Sequence, residues 1–226
     1  MNDASALLAT LQHADSFFPA GGIAFSWGVE TLIADGVLRG PEQLESFARG
    51  QVEHRWGCFD RAVVAAAHNA AQDIDALAAI DAEVEAMTMA TEQRTGSRRA
   101  GSSLLTVHER IGTPNAAEYR AAVQDGRALG HLPVVQGAVW RGAGLTGEQA
   151  QAASAHQFCV SLLSAALRLG AIGHLQAQAV LTAMRGVLVR LLATPPLDIA
   201  QIYAFTPATE IAMMRHEVQT SRLFAN

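Results

Sequence analysis

A chain of 226 residues with 50% hydrophobic but only 6% aromatic content can bury a sizeable core built mainly from Ala, Leu, Val and Ile, of which Ala and Leu favour helices. The formal net charge is −5 and all sixteen basic residues are Arg, scattered rather than gathered into a stripe; this argues against a nucleic-acid binder and excludes a phosphate-loop or Schiff-base lysine. Charged residues make up 16% of the chain, below the roughly 25% of an ordinary soluble domain, so some surface is expected to be covered by a partner.

In chain order, Leu7, Leu8 and Leu11 recur at helical spacing and predict a short helix ending near Asp15, because Pro19, Gly21 and Gly22 follow. A second short helix is expected from Ala24 to Ala34, closed by Gly36. Pro41 suits the first turn of a long core helix from Glu42 to Asn69, with Leu44, Phe47, Val52, Phe59 and Val63 on its apolar stripe. Asp73 to Leu105 reads as one or two helices interrupted around Thr95 to Gly101, where glycines, arginines and serines cluster. Thr113-Pro114 opens a helix running to Gly130, and the chain is expected to break at His131-Leu132-Pro133 and again at Gly142 to Gly147.

Thr146 and Gln149 have the spacing of a capping box for a helix through Leu169, with Gly170 and Gly173 beyond its end. A helix from His174 to Leu192 stops before Pro195-Pro196, and Thr206-Pro207 starts a last one carrying the chain to Leu223-Phe224. No alternating pattern is long enough for a sheet, and the expected fold is a single all-α, bundle-like domain of about eight to ten helices. The N-terminus lacks the basic start and apolar block of a leader, and there are only two cysteines, so the cytoplasm is the expected compartment. Apolar runs such as Phe158 to Leu167 are shorter than the roughly 20 residues a membrane span needs.

Two His/Cys pairs have spacings that share a helix face and suit a soft or borderline metal: His54 with Cys58, and His156 with Cys159. Each pair reads more readily as core packing than as a ligand pair, since cysteine behaves as a small buried hydrophobe and no third or fourth ligand is visible. No G-x-S-x-G elbow, H-E-x-x-H helix or compact Ser/His/Asp set is present, so no active site is expected. An exposed arginine could act in trans on a nucleotide-hydrolysing partner. Arg55, Arg61, Arg98, Arg99 and Arg168 are the candidates, and Arg168 is singled out because it closes an apolar run at a helix end. The tail, Met214 to Phe224, sets bulky apolar groups beside charges, a composition that fits either an interface anchor or a terminal helix docked on its own core.

Three segments resemble the urease accessory protein UreF family. Asp15-Ser16-Phe17-Phe18-Pro19-Ala20-Gly21-Gly22, continuing through Ser26-Trp27-Gly28-Val29-Glu30, is similar to its N-terminal pattern. Ala166-Leu167-Arg168-Leu169-Gly170 is similar to an internal block, and Arg215-His216-Glu217 with Ser221-Arg222-Leu223-Phe224 to its ending, although this chain closes on Ala225-Asn226. The resemblance implies one helical domain over residues 1–226 with a partner-binding tail from about residue 207. It further implies a non-enzymatic homodimer that binds UreD (also called UreH) and recruits the GTPase UreG for nickel delivery to apo-urease. No cofactor would be held stably, nickel being cargo in transit. On the same footing, Glu30 and Arg168 are expected to face UreG or regulate it, and Arg215, His216, Arg222, Leu223 and Phe224 to contact UreD. Phe17 and Phe18 are expected to serve the dimer. A direct nickel carrier using the His/Cys pairs is the competing expectation.

Overall fold

The computed structural model describes residues 3–19, 26–217 and 223–224, all-α with no strand among them. Helix α1 spans Asp3–Ala14, α2 Val29–Ala34 and α3 Pro41–Gln51. A π-helical stretch, Val52–Asp60, carries α3 without a break into α4, Arg61–Asn69. Then follow α5 Ile74–Met87, α6 Thr91–Arg110, α7 Ala116–Gln124 and α8 Leu132–Gly142. Helix α9 spans Gly147–Arg168, α10 His174–Leu192 and α11 Pro207–His216, with a 3₁₀ turn at Ile199–Gln201 before α11.

Two apolar clusters organise these helices. The first joins α4 to α8 around Phe59, Leu77, Leu104, Tyr119 and Trp140; the second joins α2, α3, α9, α10 and α11 around Leu44, Trp56, Leu162, Met184 and Phe224. Both draw on the run from α3 to α4 and on α9, whose N-terminal half contributes Ala150 and Ala153 to the first cluster and whose later turns contribute Cys159 and Leu162 to the second. Helices α4 and α8 cross at Gly137, where a Cβ would collide with Val64 O and with Ala67. The missing side chain lets the two backbones meet.

Five boundaries differ from the sequence reading; α2 begins at Val29 instead of Ala24, and α11 ends at His216 instead of reaching Leu223-Phe224. Helix α6 runs unbroken through Thr95 to Gly101, and the break lies earlier, at Thr88 to Ala90. The small residues there form its buried face: Ser97 Oγ accepts from Leu132 N at 3.1 Å, and a Cβ on Gly101 would strike Gly130 O. His131-Leu132-Pro133 begins α8 instead of breaking the chain, with proline in the first turn, where no helical N–H partner is lost. Helix α7 ends at Gln124, and the loop beyond it is gathered by one buried carboxylate. Asp81 accepts Tyr119 Oη at 2.7 Å and the backbone N–H groups of Leu129, Gly130 and His131 at 3.1, 2.8 and 2.8 Å.

The capping box forms as its spacing predicts: Thr146 Oγ1 accepts from Gln149 N at 3.2 Å, and Gln149 Oε1 from Thr146 N at 2.9 Å. Helix α10 also starts and stops as predicted. By length and composition alone it could cross a bilayer, with a mean hydropathy of 1.2 over its window. It nonetheless packs Ala177, Val180, Met184 and Val187 inward and carries Arg185 and Arg190.

Candidate functional site

Glu30 lies in the first turn of α2, and the turn ahead of it is tightly specified. Trp27 and Gly28 both take positive φ, 54° and 79°. A Cβ on Gly28 would meet Thr209 O at 3.2 Å and Ala212 Cβ at 3.4 Å, so α11 passes directly over the turn. Such strain in a non-glycine residue persists where surrounding packing over-determines it. From this position the Glu30 carboxylate reaches the C-terminal segment. Its Oε1 accepts from Leu223 N at 2.7 Å, and its Oε2 from Phe224 N at 3.1 Å. Oε2 also lies 3.1 Å from His216 Nε2.

His216, at the end of α11, is fully buried. Its Nδ1 lies 2.9 Å from Glu92 Oε2, at the start of α6. The ring is thus held between carboxylates of two helices whose own side chains are 11% and 12% exposed. Arg168, the last residue of α9, sets its guanidinium carbon 4.3 Å from the centroid of the Phe224 ring, a cation–π contact over a side chain that is 5% exposed. Arg215 pairs with Asp35, just past α2, through Nη2 at 3.1 Å.

Glu30, Arg168, Arg215, His216, Leu223 and Phe224, singled out in three distant segments, therefore converge at one place. Glu30, Arg168, His216, Leu223 and Phe224 contact one another, whereas Arg215 pairs with Asp35. His216 and Phe224 point inward, whereas Leu223 is 56% exposed and Arg168 and Arg215 keep solvent-facing surface. Arg222 lies outside the described residues. Glu92 had no signal of its own in the sequence, being one acidic residue in a helical first turn.

Phe17 and Phe18 separate. Phe17 is 93% exposed, while Phe18 turns inward against the rings of His13 at 4.9 Å and His108 at 5.5 Å. Those two histidines stack at 5.0 Å. His13 Nδ1 and His108 Nε2 are buried without a hydrogen-bond partner among the described residues. Burial, reinforced by the neighbouring His13, pushes His108 down to about 3, and burial alone lowers His13.

The His/Cys pairs are not drawn into a site. His54 and Cys58 lie in the π-helical stretch, where the i→i+5 bonding removes the α-helical basis of their spacing. The Cys58 thiol donates to Glu53 O at 3.2 Å. His156 is exposed, whereas Cys159 is fully buried and burial pushes its thiol up to about 12, opposing the thiolate a metal requires. Among the described residues no three His, Cys, Asp or Glu side chains group to hold a metal ion. Of the arginines considered for action in trans, Arg61 is 3% exposed and donates to Gln151 Oε1, Leu191 O and Thr194 O. Arg55 lies over Phe59 and pairs with Asp60 at 3.0 Å, and Arg98 faces Glu85 at 3.8 Å. Arg99 is exposed.

The sequence reading also missed a partly open pocket of about 100 Å³, large enough for water. Ser154, Gln157, Ser161 and Ser164 of α9 line it opposite Gln93 and Gln136. Its signal was available as a polar stripe at helical spacing within an otherwise apolar helix.

Comparison with known proteins places this geometry in context. A family model described as UreF matches residues 38–185. The urease accessory protein UreF of Trichodesmium erythraeum (strain IMS101) is 33% identical over 236 aligned positions, covering 100% of this chain and 99% of its own length. Those of Actinobacillus pleuropneumoniae and Haemophilus influenzae (strain PittEE) are each 29% identical, over 222 and 221 positions. Both cover 96% of this chain, and 97% and 94% of their own lengths. These alignments extend beyond the family match at both ends.

Proposed function

Because the chain belongs to the UreF family of urease accessory proteins, whose members serve urease maturation, we propose that it works there as an adaptor that binds UreD/UreH and recruits the GTPase UreG for GTP-dependent nickel insertion into apo-urease. The observation that carries the reading is the clamp: one carboxylate, Glu30, holds the backbone of Leu223 and Phe224 while Arg168 covers the Phe224 ring. Three segments far apart in sequence thereby form one continuous surface. It presents the exposed Leu223 beside Arg168 and Arg215, the apolar-plus-arginine composition that anchors protein interfaces.

In this reading UreD docks on the clamped tail, and UreG engages the same end of the molecule through Arg168, which leaves room for the adaptor to regulate GTP hydrolysis. Nickel passes as cargo without residing on the chain. The protein acts in the cytoplasm as a homodimer, with Phe17 contributing to self-association.

The test is capture of UreD by variants whose folding is verified by circular dichroism. Leu223→Asp is expected to leave helical content intact and to abolish capture; truncation after Met213, which also removes the last three residues of α11 and the buried Phe224, should abolish capture with a small loss of helical signal. Undiminished capture by both would overturn the assignment of the tail.

A further inference from the structure

The clamp contains a residue with no counterpart in the family-like segments. Glu30 Oε2 serves two donors, the ring of His216 and the amide of Phe224, so the direction of its carboxylate depends on where that ring sits. The ring is in turn fixed from the other side by Glu92, 2.9 Å from Nδ1. Held between the two carboxylates, the ring meets Glu30 in an orientation that Glu92 fixes from the opposite side. Arg94, on the same helix, is engaged with Glu85 at 3.3 Å and with the carbonyls of Thr88 and Met89 at 2.7 and 2.8 Å.

We propose that Glu92 is a positioning residue for the C-terminal segment: acting through His216 and Glu30, it makes the placement of Leu223 and Phe224 depend on α6. The chain of contacts runs from Glu92 to the His216 ring, on to the Glu30 carboxylate, and then to the backbone of residues 223 and 224. The His216 ring is fully buried and the Glu30 and Glu92 side chains are 11% and 12% exposed, a setting in which hydrogen bonds to charged groups are strong and an unpaired partner is costly; the last link, to the Leu223 amide, lies at the surface. This deepens the adaptor reading, on which the functional value of tail placement rests, yet the placement itself can be measured without any partner.

The experiment is hydrogen exchange on the full chain, following the amides of Leu223 and Phe224 in wild type, Glu92→Ala, Glu92→Gln and, as a surface control, Glu118→Gln. Loss of the positioning contact is expected to speed exchange at those two amides by about tenfold in Glu92→Ala. Glu92→Gln, which keeps an acceptor oxygen for Nδ1–H, should give a smaller increase. Core amides of α6 and α9, and the control, should stay as in wild type. Unchanged exchange at Leu223 and Phe224 in Glu92→Ala would overturn the proposal. So would a uniform acceleration across all helices, since Glu92 would then be merely structural. Selective tail acceleration with undiminished UreD capture would uphold the positioning role and count against the docking reading instead.

Discussion

Glu30 shows how little a single residue's identity says before its neighbours are known. In sequence it is one acid in a short family-like block; in the fold its two oxygens receive two consecutive backbone amides and face an imidazole. The adjacent phenylalanines make the same point, since Phe17 faces solvent and Phe18 faces two buried histidines. Those histidines give a pH prediction. Folding lowers His108 to about 3 from an ordinary value of 6.5 and lowers His13 as well. Below about pH 6.5 the unfolded chain therefore takes up protons that the folded chain refuses, and stability falls as pH drops from that point towards about 3. Urea titrations across this range should show the loss, and a His108→Gln variant should show a shallower slope. Asp81 gives a second expectation. Replacing it with Ala strands three backbone N–H groups and the Tyr119 hydroxyl, so unfolding free energy should fall by roughly 3 to 5 kcal/mol. A urea midpoint near that of wild type would refute that account.

At the scale of elements, the helices whose ends carry explicit chemistry were legible, and those interrupted by small residues were not. Thr146 and Gln149 mark the start of α9 because a capping box is a local device satisfied by four consecutive residues. Thr146→Ala should cost about 1 kcal/mol in denaturant unfolding. Ser97 and Gly101 misled because glycine and serine break isolated helices, whereas here they are the contact face on which the start of α8 lies. The cost in propensity is offset by an approach that no larger side chain permits. Gly137 obeys the same rule at the α4–α8 crossing, and Gly137→Ala is expected to destabilise by roughly 1 to 3 kcal/mol through overpacking. The π-helical stretch gave no signal either. Its bonding register is set by neighbours, including Tyr203 N and Phe205 N, which donate to Cys58 O and His54 O at 3.3 and 3.0 Å.

For the whole molecule, the two apolar clusters meet along α9 and the α3-to-α4 run, and the tail closes the second of them through Phe224. Tail and fold are thus coupled, which is why the docking test needs Leu223→Asp beside the truncation: Leu223 is 56% exposed and can be changed without opening the core. The self-association proposal separates in the same manner. Phe17→Ser is expected to shift the elution of the purified protein towards monomer with little change in thermal midpoint. Phe18→Ser should instead lower that midpoint by removing the cover of His13 and His108. If Phe17→Ser left the oligomeric state untouched, the dimer face would have to lie elsewhere.

The sequence by itself determined the all-α class, most helix boundaries and the family, because periodicity, caps and short motifs act over a few residues and survive without three-dimensional context. Only the tertiary structure decided what the motif residues do. Whether Glu30, Arg168, His216 and Phe224 point outward or at one another depends on how α2, α9 and α11 cross. The same packing decided that, among the described residues, the His/Cys pairs do not converge with further ligands, and that Glu92 belongs to the clamp. Crossing angles and burial arise from contacts between residues far apart in sequence, and no local pattern encodes them.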